Sequence, residues 1–294
     1  MNGGTQPGRS GIPGSRSLTV RMALVAVLNP VVALGLLAAV FAFTPSRFVL
    51  GLVFGLIFAT AVRIYQVSKR PAGRTMSERD DPDLFAILNR LCALADIARP
   101  EVVLSEQSQP NSWVMHIPGK PPRLYVTRGL REVLTLEELQ AVLGHELAHI
   151  ANRDALVMTA VGAPAAVMMR VNGGAGLAVI PVAAIGLLSQ IGVLILSRYR
   201  ELTADAGSCA ITGRPSALAS ALLKVSGSLE QIPSKDLRAA AAFNAFNLVA
   251  VPPRSALLRS APSLLARMVA THPPLSARLD ALEALERAQH VGTL

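Results

Sequence analysis

The chain has 294 residues, 51% of them hydrophobic, 16% charged and 4% aromatic, and 28 Lys and Arg against 19 Asp and Glu give a formal net charge of +9. Soluble domains carry about a quarter charged residues, so this composition disfavours a simple soluble enzyme. It also excludes a disordered chain, a collagen-like fibre and, with two cysteines, a disulfide scaffold. The length accommodates one large or two ordinary domains.

Residues 1–21 are rich in Gly, Ser and Pro, carry Arg9, Arg16 and Arg21, and read as a flexible basic leader. From 22 to 62 the only charge is Arg47, and the stretch splits at Thr44-Pro45-Ser46-Arg47 into apolar segments 22–43 and 48–62. The first is long enough to cross about 30 Å of hydrocarbon as a helix. Asn29-Pro30 kinks it without forbidding it. The second extends to Tyr65 with Arg63 snorkelling. A signal peptide has one shorter apolar run, so a transmembrane hairpin over 22–66 is the better reading. Basic residues precede it, and Arg63, Lys69, Arg70 and Arg74 follow it, so both ends face the cytoplasm. A second charge-poor region, 155–196, holds only Arg170 and divides around Arg170 to Gly174. Its Gly and Ala content suits close-packed membrane helices, with buried or interfacial helices as the alternative.

The polar parts flank these regions. Asp81-Pro82 opens a helix with the stripe Leu84, Ile87, Leu88, Leu91 and Leu94, ending before Pro100. Strands are expected at 102–105, 112–117 and 124–127, the last two joined by the Pro- and Gly-rich turn 118–122. Thr135 and Glu138 form a capping box for a helix from 136 to about 152. Helices are expected over 198–211 and 216–232. The stretch 233–270 reads as a mobile loop. A last amphipathic helix starts at Pro273 or Pro274, with Leu275, Leu279, Leu282 and Leu285 on one side. Residues 67–154 and 197–294 then form one catalytic domain, interrupted by 155–196.

The capped helix carries His145-Glu146-Leu147-Ala148-His149. Two histidines four apart share a helical face and can reach one metal ion, with Glu146 beside it to take a proton from water. A catalytic zinc takes a third protein ligand and leaves one position open. Glu201 and Asp205 share a face of a later helix; Glu201 can ligate, and Asp205 can fix an imidazole tautomer. His149 and Glu201 bracket the second apolar region. A double crossing returns the chain to the same side, whereas a single crossing would leave the ligands about 30 Å apart.

In these residues the sequence resembles the HtpX-like heat-shock membrane proteases, which are related to the CAAX prenyl proteases. The resemblance rests on His145 to His149 followed by Asn152-Arg153-Asp154, on Ser197-Arg198 with Glu201 and Ala204-Asp205, and on Thr271-His272-Pro273-Pro274-Leu275 with Arg278. It implies a mainly α membrane protein with a small β-sheet, a zincin-like (gluzincin) catalytic domain and about four transmembrane helices. It also implies one Zn2+ per chain held by His145, His149 and Glu201, with Asp205 supporting an imidazole. Glu146 is then the general base, and His272 and Arg278 stabilise the oxyanion. The family's Asn-Ala-Phe segment is replaced here by Asn111-Ser112-Trp113. Asn111 is expected to keep a substrate contact, with an extended peptide adding to the strand edge at Leu124 and Val126.

The implied function is a zinc-dependent endopeptidase of a bacterial-type inner membrane, acting on misfolded or membrane polypeptides with its site facing the cytoplasm. A specialised processing protease and a non-proteolytic scaffold are the alternatives. His116 reads as a surface or packing residue, and Cys92 and Cys209 as small buried apolar residues. The basic surplus lacks aromatic interleaving, so its expected partner is the lipid bilayer and not nucleic acid.

Overall fold

The computed structural model describes residues 73–116, 120–154, 179–231 and 272–291, with isolated positions between 20 and 42, Met158 and Leu248. The leader, most of the 22–66 hairpin, nearly all of the first half of the second apolar region and the 233–270 stretch apart from Leu248 lie outside the described residues. The described positions between Val20 and Ala42 are helical and exposed, and Leu24, Val27, Leu28 and Val31 are each more than half exposed. No helix among the described residues is long and apolar enough to cross a membrane.

Four strands, β1 (Arg74–Thr75), β2 (Glu101–Ser105), β3 (Ser112–Met115) and β4 (Arg123–Thr127), form a sheet in the order β1-β2-β4-β3. β2 and β4 are parallel, while β1 and β3 run antiparallel to their neighbours. Successive side chains alternate between the two faces. Val102, Leu124 and Val126 enter the main core, and Val103, Trp113, Met115 and Tyr125 form a small cluster on the other face. There the Trp113 and Tyr125 rings stack with centroids 4.8 Å apart.

This order corrects the expected substrate seat. β4 is hydrogen-bonded on both sides, to β2 and β3, and Leu124 and Val126 are fully buried, so neither is open to a peptide. The outer strand on that side is β3. The apolar residues that made β4 conspicuous in the sequence are the ones a central strand needs. The edge strand begins with a serine.

Among the described residues from Gly73 onward, the helices are α1 (Pro82–Leu94), α2 (Arg128–Val133), α3 (Leu136–Ala151), α4 (Val179–Thr212), α5 (Pro215–Gln231) and α6 (Leu275–His290). Asp81 caps α1 by accepting from the Leu84 N–H at 3.1 Å, and Pro82 takes the first position. α2 and β1 were not anticipated. Both are shorter than a period-based reading can detect, and α2 starts because the Thr127 hydroxyl accepts from the Leu130 N–H. α4 joins what the sequence suggested were two helices into one of 34 residues, about 51 Å long. The change from apolar to polar near Ser197 alters what the helix faces, but no Gly or Pro interrupts it from Val193 to Ala206. Pro181 falls in the first turn, where its missing N–H is not needed. Gly213, at a φ of 68°, terminates the helix.

α3 packs most extensively on α4, and Gly144 permits the approach. A Cβ there would lie 3.0 Å from Thr212 Cγ2 and 3.1 Å from Ser208 Oγ. Ser208 in turn donates to the Ala141 carbonyl at 2.6 Å. Cys92 and Cys209 are buried in the main core as expected, and burial pushes the Cys209 thiol up to about 12.

The capping box is present, and Glu138 also ties α3 to α5. Its carboxylate accepts from the Thr135 N–H at 2.9 Å, the Ser220 hydroxyl at 2.6 Å and the Lys224 ammonium at 2.8 Å. Burial opposes its charge, but Lys224, Ser220 and Thr135 outweigh burial and lower its pKa from 4.5 to about 2. A depressed folded pKa gives stability that is present above the unfolded value and lost as pH falls towards the folded one. Glu138→Gln is expected to lose about 1–3 kcal/mol at neutral pH. In urea melts its stability should also fall less steeply than the parent's between about pH 5 and pH 2; parallel acid limbs would reject the assignment.

Candidate metal centre

His145 and His149 stand one turn apart on α3, with their Nε2 atoms separated by 3.1 Å. Glu201 of α4 places Oε2 3.7 Å from His145 Nε2 and Oε1 3.7 Å from His149 Nε2. The three residues offer ligand atoms all within 4.8 Å of one another. Two ligands bound about 2.1 Å from a tetrahedral ion sit about 3.4 Å apart, so this triangle has the size of three ligands on one ion.

Each imidazole meets a carboxylate at its other nitrogen. His145 Nδ1 lies 2.9 Å from Asp205 Oδ1, in contact though off the line of an ideal N–H donation. His149 Nδ1 lies 2.6 Å from Asp154 Oδ2. Such contacts favour the tautomer that directs the Nε2 lone pair at a metal. The sequence reading anticipated Asp205 in this role and missed Asp154. Arg153, at a φ of 55°, turns the chain back immediately after α3 and brings Asp154 under the ring. A carboxylate a few residues past a metal-binding helix was the signal available.

Arg278, expected at the oxyanion, is hydrogen-bonded within the chain. Its Nε and Nη2 donate to the two Asp205 oxygens at 2.8 and 2.6 Å, and Nη1 donates to the Leu248 carbonyl at 2.7 Å. A guanidinium so engaged holds Asp205, and its Nη1 also lies 3.9 Å from Glu201 Oε2. The short helix-start motif could not reveal this, because Asp205 and Leu248 are far away in sequence. His272 does reach the cluster: it is buried, with Nδ1 3.4 Å from Glu201 Oε2.

Electrostatics follow from these contacts. Burial works against the Glu201 charge, but Arg200, whose Nη2 lies 2.5 Å from Oε1, together with His272 and His145, holds its carboxyl well below the usual range. Burial likewise opposes ionisation of Asp205, and Arg278 and His145 overcome it. Burial lowers the His145 proton affinity, yet Asp205 and Glu201 more than reverse this and raise its pKa to about 9. The carboxylates that favour a proton on His145 also favour a cation beside it.

Around Glu146 the strand closes in. Glu146 is buried and accepts the Ser112 hydroxyl at 2.8 Å. Asn111, expected to contact substrate, is buried; its Oδ1 accepts from the Leu248 N–H at 2.9 Å and its own N–H bonds Thr127 Oγ1 at 2.9 Å. Asn111 thus ties the start of β3 to Leu248 and to β4. Ser112, Asp154, Arg200 and Leu248 are the site neighbours that sequence reasoning did not identify.

Taken together, four buried carboxylates (Glu146, Asp154, Glu201 and Asp205) meet two guanidiniums, Arg200 and Arg278. Counted with both imidazoles in the neutral form that metal ligation requires, the cluster carries two negative charges, the complement of a divalent cation; without a metal, the raised pKa of His145 lets a proton offset one of them.

The family model for Peptidase family M48 matches residues 78–286, a stretch that contains every residue of this cluster. Protease HtpX homolog 1 of Streptomyces coelicolor is 39% identical over 292 residues, covering 91% of this chain and 92% of that protein. The Protease HtpX homolog of Moorella thermoacetica is 37% identical over 236 residues, covering 73% of this chain and 75% of the relative. In fold, the chain is similar to the crystal structure of S. mikatae Ste24p, with a TM-score of 0.52 at 17% identity. That match covers 90% of this chain and spans 64% of the Ste24p chain. The metal-sized triangle, its supporting aspartates and a family match enclosing all of them lead to one conclusion: the chain belongs to peptidase family M48.

Proposed function

We propose that this protein is an integral-membrane, zinc-dependent endopeptidase of protein quality control, hydrolysing misfolded or membrane polypeptides on the cytoplasmic side. The observation that carries the reading is the His145, His149 and Glu201 triangle with Glu146 beside it. Two imidazoles and a carboxylate are a donor set of catalytic zinc sites, which leave a fourth position open. Zinc bound there supplies a water of lowered pKa and polarises the scissile carbonyl.

The chain's own residues do the rest. Glu146 takes a proton from the attacking water and delivers it to the leaving nitrogen. His272, close to Glu201, is placed to donate to the developing oxyanion. Asp205 and Asp154 hold the imidazoles, and Arg278 holds Asp205. The outer edge of β3 seats an extended peptide through backbone hydrogen bonds, which tolerate many side chains and suit unfolded substrates.

The membrane assignment is supported by the two charge-poor regions, 22–62 and 155–196, and by the exposed apolar helical positions Leu24, Val27, Leu28 and Val31. On this reading 1–21 is a basic leader, 22–66 and 155–196 are hairpins, and 67–154 with 197–294 form the protease domain.

Purified Glu146→Gln is expected to retain one zinc per chain while losing at least about 100-fold in casein-type proteolysis. Chelation should abolish activity and lower Tm, with zinc restoring both. Full activity in the Gln variant would sink the mechanism. Arg278→Met should cost about 3–5 kcal/mol of stability by leaving Asp205 buried and unpaired. An unchanged Tm with only kcat reduced would instead return Arg278 to the oxyanion. Cysteines introduced at Thr44 and Asn172 should react only from the non-cytoplasmic side; cytoplasmic labelling of position 172 would reject the second hairpin.

A further inference from the structure

Ser112 is the first residue of β3, and its hydroxyl donates to Glu146 Oε1 at 2.8 Å with both residues buried. Strand alternation explains the placement. Trp113 and Met115 lie on the far face of the sheet with Tyr125, so Ser112 and Val114 face α3. Alanine, expected here from the resemblance, has no proton to donate. A glutamate on a rigid helix still has three side-chain torsions, and its carboxylate can sweep several ångströms unless something outside the helix fixes it.

We propose that Ser112 is a positioning residue for Glu146. Its hydroxyl anchors Oε1, fixes the side-chain rotamer and leaves Oε2 to exchange the proton with water and leaving group. This rests on the reading of Glu146 as the proton carrier. Ser112 also belongs to the edge strand proposed to seat the substrate: its backbone is part of the seat and its side chain holds the base. One residue thereby sets the distance between the scissile bond and the proton carrier. A displacement of about 1 Å at such a point can cost on the order of 100-fold in rate. A single charge-assisted hydrogen bond therefore has a kinetic effect larger than its effect on stability suggests.

The test uses the zinc-loaded, detergent-solubilised full chain, with a quenched fluorescent peptide for kinetics, metal analysis for zinc and heating curves for Tm. Ser112→Ala is expected to lower kcat about 10-fold, with KM within about twofold and one zinc per chain retained. Ser112→Thr, which keeps the donor, should recover most of the loss. The second readout does not involve turnover. Ser112→Ala should lower Tm when Glu146 is present, and the drop should vanish or reverse in a Glu146→Ala background, where the hydroxyl has lost its acceptor. An unchanged kcat, an effect on KM alone, or the same Tm drop in both backgrounds overturns the proposal. Full activity in Glu146→Ala would instead overturn the proposed function. The Tm coupling tests the contact independently, so the two failures are distinguishable.

Discussion

The interaction on which the rest of this structure depends is a buried charge balance. Glu146, Asp154, Glu201 and Asp205 are each almost wholly removed from water. A carboxylate in that position costs several kcal/mol unless partners are brought to it. Arg278 answers Asp205 with two hydrogen bonds, and Arg200 contacts Glu201. Of the two carboxylates left without a guanidinium, Asp154 contacts His149 Nδ1 and Glu146 accepts the Ser112 hydroxyl. A divalent cation between His145, His149 and Glu201 would complete the balance, and metal binding and folding would then draw on the same free energy. This accounts for acidic residues so deep in a chain whose composition is short of charge.

Bringing those groups together requires a close crossing of two helices that are far apart in sequence. Gly144 lies immediately before the first histidine, and the space it leaves is filled by Ser208 and Thr212 of α4. A Cβ there would crowd the Thr212 and Ser208 side chains, which would have to give by a few tenths of an ångström. Because α4 continues without a break from Val179 through Asp205, the helix that bears Glu201 also bears the end of the second apolar region. On the membrane reading, the depth of that region in the bilayer and the position of Glu201 are mechanically linked. The opposite wall is the sheet, where β3 contributes Ser112 and the residue before it, Asn111.

The legible parts of the fold and site are those set by neighbours in sequence. Asp81-Pro82, the Thr135 and Glu138 capping box and the His145 to His149 spacing all act within one or two helical turns, and each stands where the pattern indicated. The three longer strands were readable from their apolar and β-branched runs, yet their order was not. Strand order depends on which strand receives hydrogen bonds on both sides, and β4 proved central and not open. The helix break expected near Ser197 was a change of environment mistaken for a change of backbone. Asp154 and Ser112 stood out in the sequence only as parts of motifs, and Arg200 not at all, because a lone acidic, basic or hydroxyl residue has a bland surface reading until a partner is placed against it. Arg278 stood out in the sequence only through its motif, and its hydrogen-bond partner Asp205 lies 73 residues away.

That pairing sets how the C-terminal helix contributes. Arg278 sits on α6 and spends its donors on Asp205 and on the Leu248 carbonyl, while Asn111 takes the Leu248 N–H. Leu248 is thus held at both ends of its backbone by residues that adjoin the metal donors on one side and β3 on the other. Asp205 is simultaneously the acceptor for Arg278 and the contact of His145, so strain introduced at α6 passes through one carboxylate to a metal-binding imidazole. The site is not a helix motif to which later residues are added. It is closed by long-range contacts among α3, α4, α6 and the start of β3, and Asp205, the carboxylate against His145, is itself held by an arginine of α6 that also lies 3.9 Å from Glu201.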